Sequence, residues 1–115
     1  MGFFDILSSV GKSLISAAEE KSQEIMSETW LKMNTFDTQR LNSLIKAKGP
    51  TSILAKIALM KLYSRSRYDF TEYMMNDETK SALIRFCKSN TVQLYDKRYS
   101  NEILRIANEI IDQYS

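Results

Sequence analysis

The residues in this chain whose types and spacing suit chemistry are Tyr63, Arg65, Arg67, Tyr68 and Phe70, in the pattern Tyr-x-Arg-x-Arg-Tyr-x-Phe. Lys97, Arg98 and Tyr99 offer the same types further along. Guanidinium groups grip carboxylates and phosphates through paired N–H donors, and aromatic rings supply large contact area with few rotors to freeze. These residue types dominate protein-interaction hot spots, so the pattern points first to a protein partner with an acidic surface. The same types also neutralise phosphates and stack on bases. Nucleic acid ranks lower, because a pI near 8.7 falls short of the strongly basic range.

Catalytic apparatus is not legible. The sequence has no histidine, which removes the commonest general base, most zinc-site designs and any Ser-His or Cys-His pair. Cys87 is the only cysteine and falls on the apolar face of its helix, where it reads as a small buried hydrophobe. Gly2, Gly11 and Gly49 stand too far apart to cradle a phosphate. The adjacent acids Glu19 and Glu20, and Asp77 and Glu78, suit helix surfaces and first turns. The expectation is a non-enzymatic binding protein with no cofactor and no metal, of the adaptor, inhibitor or immunity type.

A chain of 115 residues with 43% hydrophobic and 26% charged residues is one ordinary globular domain. With 3 Gly and 1 Pro it favours helices joined by short connections, since turn-rich β folds need many of both. The fold expected is all-α, a compact bundle of five or six helices. Net charge is only +2, yet residues 1–37 sum to −3 and residues 38–115 to +5. Between Arg40 and Arg67 there are seven Lys or Arg and no acid. No apolar run is long enough to span a bilayer, and Asp5 stands where a signal peptide carries its basic region. A cytoplasmic protein is expected, with membrane association as the alternative.

Residues 1–33 read as a long amphipathic N-terminal helix, and residues 37–115 as the helical core. On a helical projection Phe3, Phe4, Leu7, Val10 and Leu14 share one arc with further apolar residues, opposite a serine-rich arc. From residue 3 to 33 such a helix spans roughly 46 Å, so its front end projects or bends near Gly11 or Lys21. Gly2-Phe-Phe-Asp-Ile-Leu resembles the opening of membrane-active peptides of the aurein and citropin type. It is also similar to the membrane-binding N-terminal helix of phage-shock-type proteins. The resemblance covers under a fifth of the chain and implies a lipid-contacting face. One departure is the scarcity of cations opposite that face, a pattern suited to lipid-packing defects rather than anionic charge. The face suits packing onto the bundle or onto a second copy first, giving a homo-oligomer, and a membrane surface second.

Within the core, Asp37 or Thr38 is expected to cap a helix that Gly49-Pro50 ends. Thr51 or Ser52 then caps a helix over about 51–65. It carries Ile53, Leu54, Ile57, Ala58, Leu59, Met60 and Leu62 nearly all the way round, so it is read as the buried hub, with Lys56 and Lys61 reaching solvent at their ends. Asp69 and Glu72 form a candidate capping box. Asn76 or Asp77 caps the next helix, Thr91–Tyr99 reads as loop or frayed helix, and a final helix begins at Ser100 or Asn101. If the N-terminal face binds lipid, deleting residues 1–18 abolishes co-sedimentation with liposomes; unchanged co-sedimentation overturns that reading.

Overall fold

The computed structural model describes residues 17–95 and 101–115. Seven helices and no strand occur among the described residues: α1 (Ala17–Met33), α2 (Thr38–Lys48), α3 (Ile53–Arg65), α4 (Arg67–Met74), α5 (Asp77–Lys88), α6 (Asn90–Gln93) and α7 (Asn101–Tyr114). The all-α expectation holds. The number exceeds five or six partly because residues 90–93 close a short helix of their own, at the start of the stretch expected to be loop or frayed helix. Of the long N-terminal helix, Ala17–Met33 is described. Phe3, Phe4, Leu7, Val10 and Leu14 lie outside the described residues.

Polar side chains set the boundaries. Asp37 accepts from the Arg40 amide at 2.8 Å, and Asn76 from the Thr79 amide at 2.9 Å. Ser52 accepts from the Ala55 amide at 3.2 Å. Each satisfies an amide that the first turn leaves without an intrahelical partner. Gly49 ends α2 at φ 85°, the left-handed region where a Cβ is costly, and its amide donates to the Ile45 carbonyl. The capping box expected at Asp69 is instead a cap at Ser66. That residue's amide donates to the Leu62 carbonyl at 2.7 Å, closing α3, and its hydroxyl accepts from the Asp69 amide at 3.4 Å, opening α4. One extended residue therefore serves both helices.

The core is built around α3. All residues from Ile57 to Tyr63 are buried, and that is nearly two full turns with no solvent face. The hub is met by α1, α2, α4 and α7. Leu41 and Ile45 of α2, Phe70 and Met74 of α4, and Ile103, Ile106, Ala107 and Ile110 of α7 join its cluster. Ile53 departs from the expected pattern: it is 57% exposed at the first helical position, ahead of the enclosed turns. Lys61 departs more sharply. Its amine does not reach solvent but lies 3.8 Å from the centroid of the Trp30 ring and donates to Asn34 Oδ1. Burial lowers its pKa; Glu102 opposes that shift and Arg65 adds to it. Lys56 behaves closer to expectation, half-buried with its amine 5.5 Å from the Phe86 ring.

Helix α1 presents Gln23, Met26, Trp30 and Met33 inward, at spacings of three and four residues, while Ile25 and Leu31 stay exposed. Gln23 is the informative member. Its side-chain amide donates to the Thr91 and Leu94 carbonyls, both at 3.0 Å, satisfying oxygens at the end of α6. Ser27 and the Tyr95 hydroxyl share a hydrogen bond beside it. Gln23→Glu keeps the shape and removes both donors, so it should lower stability by about 2 kcal/mol at neutral pH. An acid facing two carbonyls has its folded pKa raised. Stability of the variant is therefore greatest at acid pH, where the protonated carboxyl donates again, and falls as pH rises through that pKa. A urea midpoint equal to the parent's at pH 7 would overturn this role for Gln23.

Candidate partner-binding edge

The end of α3, the start of α4 and one face of α7 meet at a pocket of about 290 Å³ lined by Tyr63, Ser64, Arg65, Arg67, Arg105 and Ile106. Tyr63 is its foundation. The ring is buried and meets Phe70 edge-on at 5.1 Å, while Phe70 meets Tyr114 at 5.7 Å. Its hydroxyl donates to Glu109 Oε1 at 3.1 Å and accepts from the Gln113 amide at 2.9 Å. Burial, followed by the bond to Glu109, raises the Tyr63 pKa.

Arg67 is held flat on this base. Its guanidinium carbon stands 3.5 Å from the Tyr63 ring centroid, and its Nε donates to the Tyr63 carbonyl at 2.9 Å. The stack uses the negative ring face, and the backbone bond fixes the fork's orientation. Glu109 is the carboxylate of the group. It accepts from Arg105 and Tyr63, and stands 3.8 Å from Arg67 Nη2, too far for a hydrogen bond.

Arg65 is placed differently from its neighbour. It donates to the Phe36 carbonyl at 2.7 Å, the Asn34 carbonyl at 2.9 Å and the Met33 carbonyl at 3.5 Å. These oxygens lie at and just beyond the C-terminus of α1, where a cation also suits the helix dipole. Arg65 therefore ties α1 to the hub through carbonyls, and no carboxylate among the described residues forms an ion pair with it. Phe70 differs from the expectation of a contact residue: it has no exposed surface and supports the edge from beneath. Tyr68 is 75% exposed, and Lys97, Arg98 and Tyr99 lie outside the described residues.

Two residues join the edge that the spacing argument did not single out. Arg105 stands on the last helix, and its pairing with Glu109 four residues on is the signal for it in the sequence. Met75, 78% exposed, follows Tyr68 by seven residues and so lies two turns along the same face at the end of α4. A second, larger cleft of about 750 Å³ lies between α2 and α4, with Lys46, Asp69 and Glu72 among its lining residues. Its mixed charges favour neither sign of ligand. Burial, with Asp69 and Glu72, raises the pKa of Tyr73 there, and its hydroxyl donates to Asn42 at 2.8 Å.

Cys87 is buried in α5 as its apolar position implied, and burial pushes its thiol up to about 12. Its thiolate is therefore scarce at neutral pH. No cluster of three or more Cys, Asp or Glu arranged for a metal occurs among the described residues. No described helix is long and apolar enough to cross a membrane.

The two arginines should separate in a stability assay. Arg65→Ala strips three carbonyl contacts from the end of α1 and should cost about 1–2 kcal/mol in urea unfolding. Arg67→Ala loses an exposed stack and should cost less than about 1 kcal/mol. Equal costs for the two substitutions would contradict this division.

Comparison of the chain with protein-family models, with curated proteins and with solved structures finds no match in any of the three.

Proposed function

We propose that the chain is a small non-enzymatic binding protein, of the adaptor, inhibitor or immunity type, that acts by occupying an acidic surface on a protein partner. The observation that carries this reading is the exposure of Tyr68 beside a guanidinium already held in place on Tyr63. Interfaces draw most of their energy from a few Tyr, Trp and Arg anchors, and anchors ordered in advance lose less entropy on association. Tyr68 and Met75 supply two exposed apolar contacts, one toward each end of α4, and Arg67 and Arg105 supply the charge that steers an acidic partner to them. Their side chains support the reading further because neither arginine is needed inside the core, with about half or more of each exposed.

The test begins with immobilised full-length protein and a native-host lysate, followed by titration of the purified partner. Tyr68→Ala should weaken binding about thirtyfold, the effect of losing one hot-spot anchor worth about 2 kcal/mol. Arg67→Glu should slow association and abolish its acceleration at low salt. Both side chains are exposed, so both variants should keep the parent's helicity; Tyr68→Ala should keep its urea midpoint, and Arg67→Glu should lower it modestly through the lost stack on Tyr63 and the added carboxylate near Glu109. A captured partner whose affinity ignores both changes would overturn this interface.

A further inference from the structure

We propose that the pocket among Tyr63, Ser64, Arg65, Arg67, Arg105 and Ile106 is a subsite for one phosphorylated side chain of that protein partner. The inference rests on the interface reading and adds to it the chemical identity of the group recognised. Charge supplies the first argument. Three guanidiniums line the pocket; Glu109 is paired with Arg105 and stands near Arg67, while Arg65 is turned to backbone carbonyls, leaving an excess near +2. A partner's Asp or Glu would neutralise half of that excess. A phosphomonoester carries about −1.5 to −2 at pH 7 and matches it.

Donor geometry supplies the second. A guanidinium offers five N–H groups. Arg67 directs Nε to the Tyr63 carbonyl and Arg105 directs Nη1 to Glu109, while Glu109 is beyond hydrogen-bond reach of Arg67 Nη2. Both forks therefore keep N–H groups for the paired contacts that phosphate oxygens accept. The stack on Tyr63 and the carbonyls around Arg65 hold two of the three forks before any ligand arrives. Size supplies the third. At about 290 Å³ the pocket is at the lower bound for small-molecule sites, yet it has the room of on the order of ten waters. That suits the head of a single side chain. An extended nucleic-acid backbone would instead need a continuous basic stripe, and Asp69 and Glu72 interrupt one along α4.

The experiment titrates the full chain with three versions of a glycine-flanked pentapeptide, carrying phosphoserine, glutamate or serine at its centre, and with inorganic phosphate. Binding is followed by amide and Arg side-chain NMR shifts. The phosphoserine peptide should move Tyr63, Ser64, Arg67 and Arg105 signals and bind at least about tenfold more tightly than the glutamate peptide. Arg67→Gln combined with Arg105→Gln should abolish that binding. So should Ser64→Glu, which places a competing carboxylate at the pocket wall and serves as an independent variant if the double change disturbs the fold. Equal affinity for glutamate and phosphoserine overturns the phosphate assignment and leaves the acidic-partner interface standing. Inorganic phosphate binding as tightly as the phosphopeptide overturns the protein-borne source. Absence of binding to every probe, while Tyr68→Ala still releases the captured partner, overturns the subsite alone.

Discussion

The rest of this structure depends on the enclosure of α3. Seven consecutive residues without a solvent face cannot be satisfied by one neighbour, because successive side chains point about 100° apart around the axis. The chain must supply cover from several directions, and it does so with α1, α2, α4 and α7. At roughly 25 cal/mol for each Å² of apolar surface removed from water, this enclosure is the main favourable term in the fold. The remaining elements can be understood by how they reach α3 and how they are held there.

Enclosure also decides where the positive charges go. Lys61 falls within the buried turns, so its amine is kept by a Trp ring and an amide oxygen instead of by water. One turn further, Arg65 leaves the core and finds carbonyls at the end of α1. Two residues later Arg67 lies on the outer face of Tyr63. These three cations mark a gradient from packed interior to exposed edge within less than two turns of chain. An edge built in this way inherits its rigidity from the core, because Tyr63 belongs to both.

Local chemistry was the legible part of the sequence. Asp37, Ser52 and Asn76 cap helices because a short polar side chain can reach an amide three residues on, and that relation needs no knowledge of the fold. The hub was legible because an apolar run with no polar side has one stable location. What could not be read were contacts between distant segments. Arg65 differs from Arg67 only through carbonyls about thirty residues earlier in the chain, and Phe70 lies inward because Tyr63 and Tyr114 flank it. Arg105 enters the edge through the placement of α7, which periodicity alone assigns to a helix but not to a neighbour. At Ser66 the competing signal of Asp69 and Glu72 pulled the boundary too far, since both residues also suit the first turns of a helix that begins earlier.

The two bonds made by Gln23 have a consequence for the order of assembly. They join positions separated by 68 and 71 residues, whereas the contacts that close α2 on α3 or α4 on α5 span far shorter stretches. Closing long loops before short ones is entropically unfavourable, so local helix pairs form first and α1 is sealed onto α6 afterwards. During synthesis the front of the chain emerges first and must wait for its acceptors, the carbonyls of Thr91 and Leu94, to be made. Among the described helices, α1 can therefore meet α3 early in synthesis but can be fastened to α6 only once Leu94 has been made.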